Sequence, residues 1–173
     1  MEDSPEGKRV LAFDPGGTTG WAYHRIGTKL WDGGELDPEK LGHHVELYNF
    51  LRVTNPDIVV CENFLFAVPS IEDERGNRTT MPKVELISRE YIGIIKLYCF
   101  ARQVPLIMQQ PSVLNTTWVG DEALKKLDLY TKGARHRNDA TRHLFYYVAG
   151  TLELKQYFAP LRRPRDAGNP SPA

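Results

Sequence analysis

Apolar residues in this chain gather into short runs that end on an acid or a turn. Val10-Leu11-Ala12-Phe13 leads into Asp14-Pro15-Gly16-Gly17, and Ile58-Val59-Val60-Cys61 leads into Glu62. Such runs, bounded by turn residues, predict buried strands. Gly20-Trp21-Ala22-Tyr23-His24 and Lys29-Leu30-Trp31-Asp32-Gly33-Gly34 predict two further strands, with Gly27 between them, so the first three read as an antiparallel meander. Pro38 suits a first helical turn, and Leu41, Val45, Leu47, Tyr48, Phe50 and Leu51 follow at helical spacing until Asn55-Pro56-Asp57.

A second helix is expected from Val84 to Ala101. It is apolar on more than one face, which calls for cover on two sides, by the sheet and by another helix or subunit. Val104-Pro105-Leu106-Ile107-Met108 reads as a fifth strand. A short polar helix is expected over Glu122–Tyr130, and a last one from about Asn138 to Leu154 with Leu144, Phe145, Val148 and Leu152 inward. Residues 67–82, with two prolines, a Gly-Asn turn and Glu72-Asp73-Glu74-Arg75, read as a mobile surface loop. Residues 1–8 read as a flexible start, 9–158 as the folded domain and 159–173 as a disordered, basic, Pro-rich tail. The fold class expected is α/β: a five-stranded mixed sheet, three antiparallel strands and then two parallel ones, flanked by helices.

At 173 residues the chain has the length of one domain, and 41% hydrophobic with 25% charged residues describes an ordinary soluble protein. No apolar stretch has membrane-spanning length, and the polar start reads as no signal peptide, so a cytoplasmic location is expected. Cys61 and Cys99 lie in apolar segments and read as buried thiols of a reducing compartment. The formal net charge of zero hides an uneven distribution: residues 120–173 carry 10 Lys and Arg against 6 acids. Lys125, Lys126, Lys132, Arg135, Arg137 and Arg142 cluster there, a pattern that suits either a polyanion or a solvated helix face.

Candidate chemistry centres on three carboxylates far apart in sequence. Asp14 and Glu62 each end a buried strand. Asp139 opens the last helix, with His136 three residues before it. Acids at such places are costly to desolvate unless something positive neutralises them, and an Asp/Glu/Asp set with a nearby His suits Mg²⁺ or Mn²⁺. Each has a plainer reading: a turn cap for Asp14, a surface acid for Glu62, a helix cap for Asp139 and a carboxylate partner for His136. Taken together they favour a metal site for phosphodiester chemistry. His143 shares the helix face of Asp139 and reads as a surface residue or a support to a ligand. Phe64 and Phe66 follow the glutamate and could stack on unpaired bases or simply pack in the core. Lys125, Lys126, Arg135 and Arg137 are candidate phosphate contacts.

These residues resemble a family. Val10 to Ala22, with Asp14-Pro15-Gly16, is similar to the first strand of RuvC-type Holliday-junction resolvases, particularly bacteriophage versions. Pro56-Asp57-Ile58-Val59-Val60-Cys61-Glu62-Asn63 resembles the strand carrying their glutamate. Pro111, with Val119 to Lys125, resembles the segment after their fifth strand, and His136-Arg137-Asn138-Asp139-Ala140 their terminal motif. The resemblance covers roughly residues 9–150 and implies a ribonuclease H-like fold. It also implies an endonuclease holding two Mg²⁺ ions, replaceable by Mn²⁺, with Asp14 bridging them, Glu62 completing one site and Asp139 with His136 the other.

A nick leaving a 5′ phosphate, four-way or branched DNA as partner, and a homodimer through the 84–101 helix are further implications. For a phage-encoded protein the location would be the bacterial host cytoplasm. Three departures touch the expected DNA side: a shorter segment from Lys125 to Asp139, no lysine just after Pro111, and a longer, more charged 67–82 loop. Alternatives are another ribonuclease H-fold nuclease (RNA-processing, flap or packaging), an inactive nucleic-acid-binding module, or an actin-like ATPase, whose phosphate loop the 14–20 segment also resembles. The last needs a second domain for which this chain has no room.

Overall fold

A computed structural model describes residues 4–36, 42–63, 83–115 and 117–151. Strands β1 (Arg9–Asp14), β2 (Thr19–Arg25) and β3 (Trp31–Leu36) precede helix α1 (His43–Thr54). Strand β4 (Ile58–Glu62), helix α2 (Lys83–Arg102) and strand β5 (Leu106–Gln109) follow. Two 3₁₀ turns lead to α3 (Asp121–Lys126) and α4 (Arg135–Phe145), which continues into a π-helical turn, Tyr146–Thr151. The sheet order is β3-β2-β1-β4-β5. β1 pairs antiparallel with β2 and parallel with β4, β2 antiparallel with β3, and β4 parallel with β5. This is the mixed sheet expected from the sequence.

The two central runs are apolar throughout because both faces of the sheet are covered. Leu11, Phe13, Val59 and Cys61 point to one face, where α1 and α2 cover them with Leu47, Leu51, Tyr91, Ile95 and Tyr98. Val10, Ala12, Ile58 and Val60 point to the other, beneath Ala140, Leu144 and Val148 of α4 and its π-turn. The β1–β4 pairing is tied at its start by Arg9, whose guanidinium donates to both carboxylate oxygens of Asp57 (2.9 and 2.8 Å). That bond raises Arg9 and lowers Asp57 from their ordinary pKa values.

Several boundaries differ from the sequence reading. α3 stops at Lys126 rather than Tyr130, because the chain turns at Asp128, whose φ of 57° cannot continue a helix. α4 begins at Arg135, three residues before the expected start, and its regular part ends at Phe145. β3 lies two residues later than expected and β5 loses Val104 and Pro105. Both cysteines are buried free thiols, as expected. Pro38, Phe64, Phe66, the 67–82 loop, Leu152 and the 159–173 tail lie outside the described residues. No helix among the described residues is long and apolar enough to cross a membrane.

Candidate active site

Period-two alternation decides where the strand-end acids point. Along β1, Val10 and Ala12 face α4, so Asp14 does too; along β4, Ile58 and Val60 face α4, so Glu62 does as well. The register Phe13↔Cys61 makes Asp14 and Glu62 neighbours at the ends of adjacent parallel strands. Glu62 is in turn paired with Gln109 of β5, which extends the polar row by one strand. Above this row runs α4, presenting His136, Asp139 and His143 at i, i+3 and i+7, a spacing that keeps all three on one helix face.

Side-chain contacts join the two layers. His136 Nδ1 donates to Asp14 Oδ2 (2.8 Å). His143 Nε2 donates to Glu62 Oε2 (2.9 Å), while its Nδ1 lies 2.7 Å from Gln109 Oε1. Asp139 accepts from Arg142 Nη1 (2.8 Å) and has Arg135 Nε at 3.7 Å. Arg142 also bonds Asp121 at the start of α3. Among the described residues the oxygens of Asp14, Glu62 and Asp139 do not all gather within 4.8 Å of one another. Nor, by the same measure, do ligand atoms of Asp14, His136 and Asp139. As chemistry, three carboxylates and an imidazole are the oxygen-rich set that a divalent cation such as Mg²⁺ or Mn²⁺ takes, and binding one would require them to draw closer.

Burial and mutual proximity set the ionisation of the three acids apart. Burial, reinforced by the charges of Glu62 and Asp139, lifts the Asp14 carboxyl to about 6 despite its bond to His136. Burial raises Asp139 as well, and Arg142 and Arg135 only partly offset it. Glu62 moves the other way: burial opposes its ionisation, but His143, with help from Asp14 and His136, outweighs burial and holds it below the usual range. Asp14 and Glu62 therefore ionise as a pair in which Glu62 carries the charge first.

Three plainer readings fail on this geometry. The Glu62 side chain is 14% exposed and bonded to a buried histidine, so it is not a surface acid. Asp139 lies a full turn inside α4, whose first N–H groups, those of His136 and Arg137, instead donate to Glu35 Oε1 from β3 (3.1 and 3.3 Å). The sharp turn after Asp14 is closed by Thr19 Oγ1 against Gly16, not by Asp14. Of the two readings of His143, the surface one fails, since it is fully buried, and the supporting one holds, since it bonds Glu62.

The basic candidates divide. Lys126 is exposed. Lys125 is engaged by Glu122 at 2.7 Å and lies 5.2 Å above the Tyr130 ring. Arg135 is 86% exposed at the mouth of a cleft of about 540 Å³ that opens on Asp139. Arg137 lies across β3 against Gly33.

Gln109, Glu35 and the role of Arg142 were not found from the sequence. Gln109 carried no signal, since its place depends on the β4–β5 register. Replacing His143 with Ala is expected to leave Glu62 and Gln109 buried without their partner. The cost is on the order of 3–5 kcal/mol of stability, read by urea denaturation; an unchanged midpoint would show that the bond holds nothing.

The fold is ribonuclease H-like, and it carries a carboxylate–histidine cluster at the ends of its two central parallel strands. No family model matches the sequence, and no curated protein matches it by sequence. Among solved structures, Thermus thermophilus RuvC in complex with a Holliday junction substrate aligns with TM-score 0.54 and 17% identity. That alignment covers 79% of this chain and 90% of the other. A second Thermus thermophilus RuvC structure aligns with TM-score 0.52 and 17% identity, over 83% and 97%. The fold is that of RuvC-like resolvases.

Proposed function

We propose that this protein is a metal-dependent endonuclease that cuts branched DNA, of the Holliday-junction-resolving type. The observation that carries this reading is the pairing of Asp14 with Glu62 beneath His136 and Asp139, in a fold shared with RuvC. Asp14 with Glu62 would hold one divalent ion, and Asp14 with Asp139 and His136 the other, Mg²⁺ being the proposed cofactor and Mn²⁺ a substitute. Such ions, when bound, supply Lewis-acid activation of water and neutralise charge on the phosphate.

The residues of the chain do the rest. Gln109 and His143 aim the Glu62 carboxylate, and the ionised state of Glu62 that His143 favours is the one a cation requires. His136 orients Asp14 through Nδ1, which leaves Nε2 as its ligand atom. Arg142 and Arg135 hold Asp139 in place. Arg135, Lys126 and, less directly, Lys125 and Arg137 would meet backbone phosphates near the cleft beside Asp139, and Phe64 and Phe66 would stack on bases unpaired at the branch point.

Incubating the protein and Mg²⁺ with a labelled four-way junction, linear duplex, flap, single strand and RNA–DNA hybrid tests this. Paired nicks at the crossover, each leaving a 5′ phosphate, are expected. Preferential cutting of flap or hybrid would make the protein another ribonuclease H-fold nuclease, and binding without cutting a recognition module.

Paired nicks on opposed strands call for a two-fold dimer. We place it on α2, where Leu97 and Phe100 are 63% and 86% exposed although the helix buries Tyr91, Ile95 and Tyr98 on its other side. Leu97→Glu with Phe100→Glu is expected to give a monomer by sedimentation and to uncouple the two nicks; an unchanged dimer would move the interface elsewhere.

A further inference from the structure

A second cluster of ligand-type side chains lies on the opposite face of the sheet from α4, where α1 packs on α2. His43 and His44 occupy the first turn of α1, and Glu90 projects from α2. One ligand atom from each lies within 4.8 Å of the other two. His44 Nε2 and Glu90 Oε2 are already 2.7 Å apart. From these residues we infer a transition-metal site, of the kind that takes Zn²⁺, bridging α1 and α2. It is independent of the acid cluster and of the nuclease reading.

The donor set is the first argument. Two imidazoles and one carboxylate suit Zn²⁺, Ni²⁺ or Cu²⁺ and not Mg²⁺, which prefers oxygen throughout. Three protein ligands also leave one position of a tetrahedral ion for water. Geometry is the second. An ion with bonds of about 2.0–2.2 Å sets its ligand atoms ~3.4 Å apart, so the widest separation here must close by at most about 1.4 Å. The His44 and Glu90 side chains, 42% and 51% exposed, have room to make that movement.

Orientation is the third argument. The His43 and His44 rings lie 3.9 Å apart, and both pack on the buried Tyr91 ring at 5.5 and 6.1 Å. The His43 imidazole is thus placed by packing before any ion arrives, leaving His44 and Glu90 to make the movement, which reduces the ordering that binding requires. The positive end of the α1 dipole opposes a cation here, but the Glu90 charge and two nitrogen donors act against it at much shorter range. A plain His44–Glu90 ion pair would account for the 2.7 Å contact, but not for the His43 ring lying 3.9 Å from the His44 ring.

The experiment uses the full chain carrying Asp14→Asn and Glu62→Gln, so that the acid cluster no longer competes for metal. Zn²⁺ is titrated by calorimetry, and Co²⁺ by its visible absorption. One equivalent of Zn²⁺ is expected to bind and to raise the melting temperature. At a hundred times its dissociation constant the ion lowers the unfolding equilibrium constant about a hundredfold. Adding Glu90→Gln or His44→Ala, each at a partly exposed position, is expected to weaken Zn²⁺ binding at least tenfold, while excess Mg²⁺ leaves it unchanged. Zn²⁺ affinity unaffected by both substitutions, displacement of Zn²⁺ by Mg²⁺, or no binding at about millimolar Zn²⁺ would each overturn the site. None of these outcomes bears on cleavage of DNA by the unsubstituted protein.

Discussion

Under the proposed function, Asp14→Asn is expected to lower cleavage of a four-way junction by at least roughly a thousandfold while leaving the protein folded. The amide has the shape of the carboxyl but not its charge, and a divalent ion held with its help would lose several kcal/mol of stabilisation, which sets the size of the loss. Stability responds in the opposite sense. In the metal-free folded protein Asp14 titrates at about 6, against an ordinary 3.8, because burial and the neighbouring acids favour its protonated form. The folded state therefore binds this proton more tightly than the unfolded state does. Its contribution to stability is complete below about pH 4 and is lost as the pH rises through about 6, on the order of 3 kcal/mol in all.

Urea denaturation from pH 4 to 7 in the presence of a chelator reads this slope, and Asp14→Asn is expected to flatten it. With the substitution, the protein at pH 7 becomes no less stable than the unsubstituted one while it stops cutting. Cleavage that survives Asp14→Asn would remove Asp14 from the reaction, and an unchanged pH slope would assign that slope to another group.

Gly20→Ala is expected to be nearly as damaging at a residue with no chemistry of its own. Gly20 pairs with Asp14 across β1 and β2, under the first turn of α4. A Cβ there would overlap the His136 carbonyl oxygen and come within 2.7 Å of the Arg137 amide nitrogen. Both are backbone atoms, so α4 must move as a unit and carry His136 and Asp139 with it. Overpacking of this kind costs about 1–3 kcal/mol of stability. A displacement of about 1 Å at a reacting centre costs on the order of a hundredfold in rate. Thermal denaturation together with single-turnover cleavage separates the two effects. A variant that melts lower but cuts at the normal rate would show that α4 absorbs the methyl group without moving its ligands.

The legible part of the site was the part written in local sequence. Asp14 and Glu62 each end an apolar run, and that run fixes both the strand and, through the period of two, the face its last residue occupies. His136 and Asp139 were legible as neighbours three residues apart, but that they share a helix face followed only from the earlier start of α4 at Arg135. Gln109 was illegible because its contact with Glu62 exists only once β5 pairs with β4 in one register. Glu35 was illegible because capping of α4 comes from a strand about a hundred residues earlier. The α4 boundary moved for a related reason: with Glu35 accepting from its first N–H groups, the helix starts at Arg135 and Asp139 is not needed as a cap.

The amino-acid pattern alone determined five strands, the main helices and which acids stand at strand ends, since burial and periodicity act over a few neighbouring residues. Only the tertiary structure decided that His143 is buried against Glu62, that Arg142 ties Asp139 to Asp121, and that two histidines of α1 meet a glutamate of α2. Each of these depends on how one element is placed over another. That placement is set by the packing of the whole core and leaves no mark in any short stretch of sequence.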